Sequence, residues 1–205
     1  YGIHDHLIKK AMEDGIDTIV TCDNGISASS QITYAKELGM TVVVTDHHEV
    51  PFTDTEEGRT YILPPADAII NPKQADCTYP NKNICGAVVA MKLVFALYEK
   101  YRLPEEEKED FLEPAAIATV GDIMDLQGEN RILVKEGLAR LPFTKNKGLK
   151  ALIRAIGLIL LGFGVLQLGL SLKSHDPSQR ANGMLTIAGG IVITFTKEIL
   201  TLITG

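Results

Sequence analysis

Short apolar runs that stop at polar residues give the first half of the chain its pattern. Residues 42–44 are three valines, followed at 46–48 by Asp-His-His, and residues 16–22 form a similar run, followed at 23–25 by Asp-Asn-Gly. Short runs rich in β-branched residues are typical of buried strands. Residues 28–38 lie between them with helical spacing. The order strand, helix, strand predicts two parallel strands joined by a right-handed crossover.

The same pattern extends along most of the chain. The other predicted elements are a helix over 4–12, a loop over 51–66, a strand over 68–70, a core helix over 86–101, a helix after Pro104, and short helices over 129–141 and 146–156. Helices alternate with strands only in the first part, and no long alternating polar strand is present. The predicted fold class is therefore α/β, with a parallel sheet flanked by helices.

The pattern changes near the end of the chain. Residues 155–172 carry no charge, a polar link follows, and a second apolar run from Met184 stays uncharged until Lys197. Glycines in both runs would let two helices approach closely. We predict two domains, 1–154 and 155–205, the second a hydrophobic helical hairpin that spans a membrane. Two buried helices of a larger core are the alternative.

Charge is distributed unevenly between these domains. Residues 1–154 hold 17 Lys or Arg against 24 Asp or Glu, whereas residues 155–205 hold 3 against 2. An acidic domain binds nucleic acid poorly, because such binding depends on neutralising phosphates with Lys and Arg. Basic residues clustered before the first apolar run favour a cytoplasmic first domain anchored to the cytoplasmic membrane. Three cysteines without a Cys-x-x-Cys spacing also fit a reducing cytoplasm.

Polar residues at the ends of the predicted strands supply candidate chemistry. Carboxyl ends of parallel strands form ligand sites, so Asp23 and the Asp-His-His sequence should lie together. Asp122, which follows another buried run, would add a second carboxylate. Asp23, His47 and Asp122 together suit Mn²⁺, and Mg²⁺ less well. Because neighbouring strand residues point to opposite sides, His47 is the predicted ligand and His48 is not.

The neighbours of these ligands have supporting roles in this interpretation. His48 and Asn24 would contact phosphate or support the metal ligands, and Asp46 would orient an imidazole and fix its tautomer. Two ions held a few ångströms apart would activate water for in-line attack on phosphorus. The predicted reaction is phosphodiester hydrolysis, with Asp23, His47, His48 and Asp122 as the catalytic set. His4 and His6 diverge on a helix, so a solvated first turn is favoured over a metal pair there.

Five segments carry a resemblance to a known family: TCDNGIS, VVVTDHHEVP, AIINPKQ, NICGAVVAMKL and ATVGDIMDLQGENRILVKEGL. Together they resemble the catalytic core of RecJ-type exonucleases in the DHH phosphoesterase superfamily, over about residues 1–157. The resemblance implies a Mn²⁺- or Mg²⁺-dependent 5'-to-3' exonuclease acting on single-stranded DNA. It implies that Asp23 bridges two metal ions and that His47 and Asp122 are further ligands.

The chain departs from this family in two respects. The first family motif, an aspartate-rich segment, has no counterpart before Asp23, and no second, phosphate-binding domain follows. We therefore expect a partial DHH-type domain with an incomplete metal site, impaired activity, and a need for missing segments or a second chain. Residues 164–190 instead resemble small hydrophobic proteins encoded in conjugative elements of Gram-positive bacteria.

Two other functions fit the same residues. A phosphodiesterase for short oligonucleotides or cyclic dinucleotides would suit the acidic surface and the membrane segment. An inactive remnant attached to a membrane segment would suit the missing first motif. Substrate length and the number of metal ions bound distinguish these alternatives from the exonuclease.

Overall fold

The computed structural model describes residues 2–56 and 58–204. Its contacts divide the chain into two compact units, Tyr1–Gly137 and Leu138–Gly205, which we call the N-terminal and C-terminal units. The predicted domain boundary after residue 154 falls within a helix, Lys147–Ser174.

The helices and strands are numbered in chain order. The helices are α1 Asp5–Glu13, α2 Ser29–Glu37, α3 Gly86–Tyr101, α4 Leu112–Gly121, α5 Gly128–Arg140, α6 Lys147–Ser174, α7 Pro177–Thr194 and α8 Thr196–Thr204, with 3₁₀ segments at Glu105–Phe111 and Leu141–Phe143. The strands are β1 Thr18–Val20, β2 Thr41–Thr45, β3 Phe52–Thr55, β4 Gly58–Tyr61 and β5 Ala68–Ile70.

A three-stranded parallel sheet organises the N-terminal unit. Its order is β1-β2-β5, with Val20 opposite Val43 and Thr45 opposite Ile70. The predicted α/β class, with helices flanking a parallel sheet, is confirmed. The first strand is shorter than predicted and is not buried, because β1 lies at an edge of the sheet and Val20 is 58% exposed.

The core of this unit has two hydrophobic clusters. In one, Val42 and Val44 of β2 are buried with Ile8 of α1 and Ile32 of α2. The other contains residues of α3, α4 and α5, among them Val88, Ala116 and Leu133. Fully burying each of these larger aliphatic side chains is worth about 1.5–3 kcal/mol. The central strand β2 is thus fixed firmly at the residues that precede Asp-His-His.

The predicted loop over residues 51–66 contains a hairpin. Strands β3 and β4 pair antiparallel, with Phe52 opposite Tyr61 and Asp54 opposite Arg59. The Arg59 guanidinium lies 3.7 Å from the centre of the Phe52 ring. Cross-strand pairs of this kind stabilise exposed hairpins, and both strands are exposed along their length. Without a buried face, the hairpin has no apolar alternation for sequence analysis to detect.

Helix boundaries differ from the predictions at two places. The helix expected after Pro104 consists of a 3₁₀ segment followed by α4, so its acidic first part is not α-helical. The short helix predicted over 146–156 and the first apolar run form one helix, α6, because no proline or capping residue separates them. The core helix predicted over 86–101 is confirmed as α3.

In the C-terminal unit, α6 and α7 pack against each other as the predicted hairpin. A Cβ added to Gly164 would lie 2.8 Å from the Ile187 amide nitrogen, and one added to Gly190 would lie 2.7 Å from that of Leu161. These contacts leave no room for a side chain at either glycine. The polar link is shorter than predicted, because Asp176 caps α7 and Pro177 begins it.

Most large side chains of this hairpin lie outside the helix contact. Ile159 is 70% exposed and Val165 is 61% exposed. Among the described residues, α6 is the one helix long and apolar enough to cross a bilayer, and 17% of its most apolar window is buried.

Candidate metal centre

The loop after β1 places Asp23 at the edge of the sheet. Its backbone is left-handed, with φ of 63°, a conformation that Asp and Asn tolerate better than most residues. The Asp23 amide donates to the Thr45 carbonyl of β2, which extends the strand pairing by one more step. Gly25, with φ of 114°, completes the turn. The carboxylate is therefore held beside the end of β2.

Asp46 is the buried centre of the next turn. Its side chain is 1% exposed. One carboxylate oxygen accepts from the Ile26 amide at 2.9 Å, and the other accepts from the amides of His47 and His48 and from His48 Nδ1 at 2.7 Å. Burial alone would raise the pKa of Asp46, but these hydrogen bonds outweigh it and lower the pKa below its ordinary value. Asp46 thus stays ionised and orients the His48 imidazole.

His47 and His48 lie close together, although the alternation of side chains along a strand predicted that they would point to opposite sides. Their ring centres are 4.6 Å apart. The alternation of side chains applies within a strand, but β2 ends at Thr45, and Asp46 folds the following two residues around its carboxylate. An ionised carboxylate only accepts, so Nδ1 of His48 donates its hydrogen to Asp46. His48 therefore lies on the same side as His47.

The three predicted ligands lie together, with the two carboxylates placed around His47. Its Nε2 atom lies 3.1 Å from Asp23 Oδ1 and 3.9 Å from Asp122 Oδ2. Asp122 follows the last turn of α4 and directs its carboxylate to the same point. Candidate ligand atoms of Asp23, His47 and His48 lie within 4.8 Å of one another. The structure therefore brings together all three predicted ligands and adds His48.

These donors fit a hard divalent cation. Two donors about 2.1 Å from an ion and at right angles to each other lie about 3 Å apart. The distance between His47 Nε2 and Asp23 Oδ1 agrees with that separation. A mixed oxygen and nitrogen set suits Mn²⁺. The residues present are thus suited to hold part of a manganese coordination shell.

Asn24 lies next to this cluster and is held by a local contact. Its side-chain nitrogen donates to the Cys22 carbonyl at 3.1 Å. Its side-chain oxygen is buried, with no hydrogen-bond partner in the described part of the chain. A pocket of about 390 Å³ adjoins the site and is lined by Asn24, His48 and, unexpectedly, His4. The predicted contact of Asn24 with phosphate remains a prediction.

Two supporting residues were missed by the sequence analysis. Asn71, which is 2% exposed, donates to the His48 carbonyl at 3.0 Å and so fixes the backbone after β2. The Asn-Pro pair that ends β5 was interpreted only as a stop signal. Gly86, at the start of α3, contacts Asp23 directly. The sequence around Gly86 did not indicate that contact, because Gly86 lies 63 positions after Asp23 in the chain.

A parallel sheet with Asp-His-His and two further carboxylates at its carboxyl edge is the arrangement expected of DHH-type phosphoesterases. The chain belongs to the DHH family, since residues 3–119 match the family's N-terminal domain. The resemblance found in the five sequence segments is therefore confirmed.

The curated relatives are single-stranded-DNA-specific exonucleases named RecJ. The Bacillus subtilis protein is 41% identical over 157 residues, which are 77% of this chain and 18% of that protein. The Salmonella typhimurium protein is 37% identical over 200 residues, covering 93% of this chain and 30% of that protein. The chain therefore spans less than a third of the length of either relative.

Two solved structures share the fold. The crystal structure of exonuclease RecJ bound to manganese superposes with a TM-score of 0.63 at 27% identity, covering 98% of this chain and 52% of that one. RecJ from Thermus thermophilus in complex with Mn²⁺ gives 0.60 at 27% identity, covering 97% of this chain and 30% of that one. Both superpositions extend past residue 157, where the five sequence segments end.

Proposed function

We propose that this chain carries the metal-binding part of a phosphodiester hydrolase that degrades single-stranded DNA from its 5' end. The convergence of Asp23 and Asp122 on His47 Nε2 is the observation that carries this proposal. RecJ relatives with manganese-bound structures support the choice of metal and substrate. The proposal concerns an enzyme of the kind that the relatives represent, and this chain matches less than a third of their length.

Each residue has a distinct role in the proposed site. Asp23, His47 and Asp122 hold Mn²⁺, or Mg²⁺ less tightly, and His48 lies beside them. Asp46 orients His48 and keeps its proton on Nδ1. A bound divalent cation would supply Lewis-acid stabilisation of charge that develops on the phosphate. Asn24 would contact the phosphate from the adjoining pocket.

The site is proposed to be incomplete in this chain alone. Three or four protein donors leave positions open around even one ion. Water, substrate oxygens or groups from a second chain would occupy the others. We therefore expect weak binding of at most one Mn²⁺ ion and low activity. Calorimetry that finds two tightly bound Mn²⁺ ions per chain would contradict this expectation, and would also argue against an inactive remnant.

A nuclease assay tests the proposed substrate. We expect Mn²⁺-dependent release of nucleotides from single strands that are labelled at the 5' end, with less release from 3'-labelled or duplex DNA. Chelation with EDTA should abolish release. Without the metal ion, the carboxylate and imidazole ligands form no basic surface that could bind the DNA phosphates. Release that is unaffected by EDTA would contradict the proposal.

A phosphodiesterase for short oligonucleotides or cyclic dinucleotides is the second candidate. The acidic N-terminal unit favours it, since a short substrate needs fewer phosphate contacts. The same assay distinguishes the two candidates. Faster hydrolysis of dinucleotides than of long single strands would favour the second.

We also propose that the C-terminal hairpin associates with the cytoplasmic membrane and leaves the N-terminal unit in the cytoplasm. The outward apolar side chains of α6 support this. The chain should float with anionic lipid vesicles, and the double substitution Ile159→Lys, Val165→Lys should reduce flotation several-fold, because charge is costly in hydrocarbon. Ser30→Lys, at an exposed position of α2, is the control for adding a lysine. Equal flotation of the double variant and the wild type would refute membrane association.

A further inference from the structure

The first residues of α3 lie against the candidate metal centre. Gly86 is buried, and a Cβ added to it would lie 2.6 Å from Asp23 Cα and would overlap Asp23 Oδ1. Real Cβ atoms essentially never approach other atoms so closely. Because one of the contacted atoms is backbone, Asp23 cannot relieve the clash by rotating its side chain. Only glycine at position 86 is compatible with the observed position of Asp23.

The preceding residue contacts the helix that positions Asp122. Cys85 is fully buried, and its sulfur lies 3.5 Å from Thr119 Oγ1. Thr119 is itself fully buried and donates to the Ala115 carbonyl of α4 at 2.7 Å. Asp122 lies three residues after Thr119, which places the two on the same side of the helix end. Cys85 therefore packs against the same side of α4 from which Asp122 extends.

The two contacts join one dipeptide to the two segments that carry the carboxylates. On one side, Gly86 touches Asp23, whose backbone angles lie in the small left-handed region of allowed φ and ψ values. On the other side, Cys85 touches Thr119 near the end of α4. The Asp23 and Asp122 carboxylates lie 3.1 and 3.9 Å from the same nitrogen of His47. A shift of α3 would change both distances.

We propose that Cys85 and Gly86 are positioning residues that set the spacing of Asp23 and Asp122 around His47. This inference rests on the proposed metal-binding role of that site. Neither residue is a ligand. A larger side chain at position 86 would displace Asp23, the candidate ligand that it contacts, from its position beside His47.

Manganese affinity tests the inference directly. In titrations followed by the electron paramagnetic resonance of free Mn²⁺, Gly86→Ala should weaken binding at least tenfold. Gly164→Ala is the matched control, because a Cβ there would lie 2.8 Å from the Ile187 amide nitrogen, an equally close backbone contact in the C-terminal unit, which holds none of the candidate ligands. The control should change the affinity less than twofold. Similar weakening in both variants would overturn the proposal.

Thermal unfolding without metal or substrate gives a second, independent test. Gly86→Ala should lower the melting temperature in the wild-type background and lower it by a smaller amount in an Asp23→Gly background, because that change removes two of the three atoms that the new Cβ would meet, Oδ1 and Cβ, and lets the backbone at position 23 adjust around Cα. If Gly86→Ala does not fold alone, the double variant should fold. Equal losses in both backgrounds, or no rescue, would overturn the proposal.

The two tests separate this inference from the proposed function. If the wild-type chain binds no Mn²⁺, the proposed function fails, yet the unfolding experiment still decides whether Gly86 positions Asp23. If Mn²⁺ binds but no DNA is degraded, the positioning role still stands on the affinity data, which do not depend on activity.

Discussion

Replacing His47 with alanine is expected to weaken Mn²⁺ binding at least about 100-fold and to remove Mn²⁺-dependent release of nucleotides. His47 Nε2 is the atom on which both carboxylates converge. Loss of a residue that only supports a ligand costs about 10–100-fold in metal affinity, and loss of a ligand should cost no less. Calorimetry and the 5'-end assay measure the two effects separately.

The control for this substitution is another histidine of the same unit. His6 lies on α1, is exposed, and stacks against His4 with ring centres 5.7 Å apart. His6→Ala should leave Mn²⁺ affinity unchanged within a factor of about two. If His47→Ala and His6→Ala bind Mn²⁺ equally well, the convergence around His47 is not a metal site.

Asp46→Asn is expected to destabilise the chain by about 2–3 kcal/mol, the range for losing hydrogen bonds to a buried charged group. Asp46 accepts four hydrogen bonds from N–H groups. In the asparagine variant, the side-chain NH₂ group would replace one accepting oxygen and would face at least one of those N–H groups. The melting temperature should fall by roughly 5–10 °C for a chain of this size. Asp54→Asn, in the exposed hairpin, should change stability by less than about 0.5 kcal/mol.

The same substitution should alter the dependence of stability on pH. The pKa of Asp46 is lowered in the folded chain, so the unfolded chain binds its proton more readily. The stabilisation from Asp46 is complete above its unfolded pKa of about 3.9 and is lost as the pH falls through the lower folded pKa. Asp46→Asn should flatten this acid limb in unfolding measured from about pH 6 to about pH 2. An acid limb as steep as in the wild type would contradict the role given to Asp46.

The sequence was most informative where burial and chemistry coincide. Three consecutive valines shortly before Asp46 indicated a buried strand, and a parallel sheet then placed Asp23 beside His47. Asp122 was recognisable because solvation alone does not account for a carboxylate directly after a buried helical run. These features depend on local pattern and on the topology of parallel strands, both of which a single sequence specifies.

Features that depend on backbone details beyond the strands were not predicted. The shared orientation of His47 and His48 follows from the way Asp46 captures the amides after β2, which alternation along a strand does not describe. The contact of Gly86 with Asp23 joins distant segments and leaves no periodic signal. The exposed hairpin of β3 and β4 has no buried face, so its residues resembled those of a loop.

The small residues of α6 and α7 recur at a fixed interval. Gly157, Gly164 and Ser171 are buried seven residues apart on α6, as are Gly183 and Gly190 on α7. A seven-residue repeat is slightly shorter than two full turns, so a seam that follows it must wind around the helix axis. The two helices should therefore coil around each other with a left-handed twist. One residue inserted between Gly157 and Gly164 would rotate half of the seam by about 100° and separate the helices along that half.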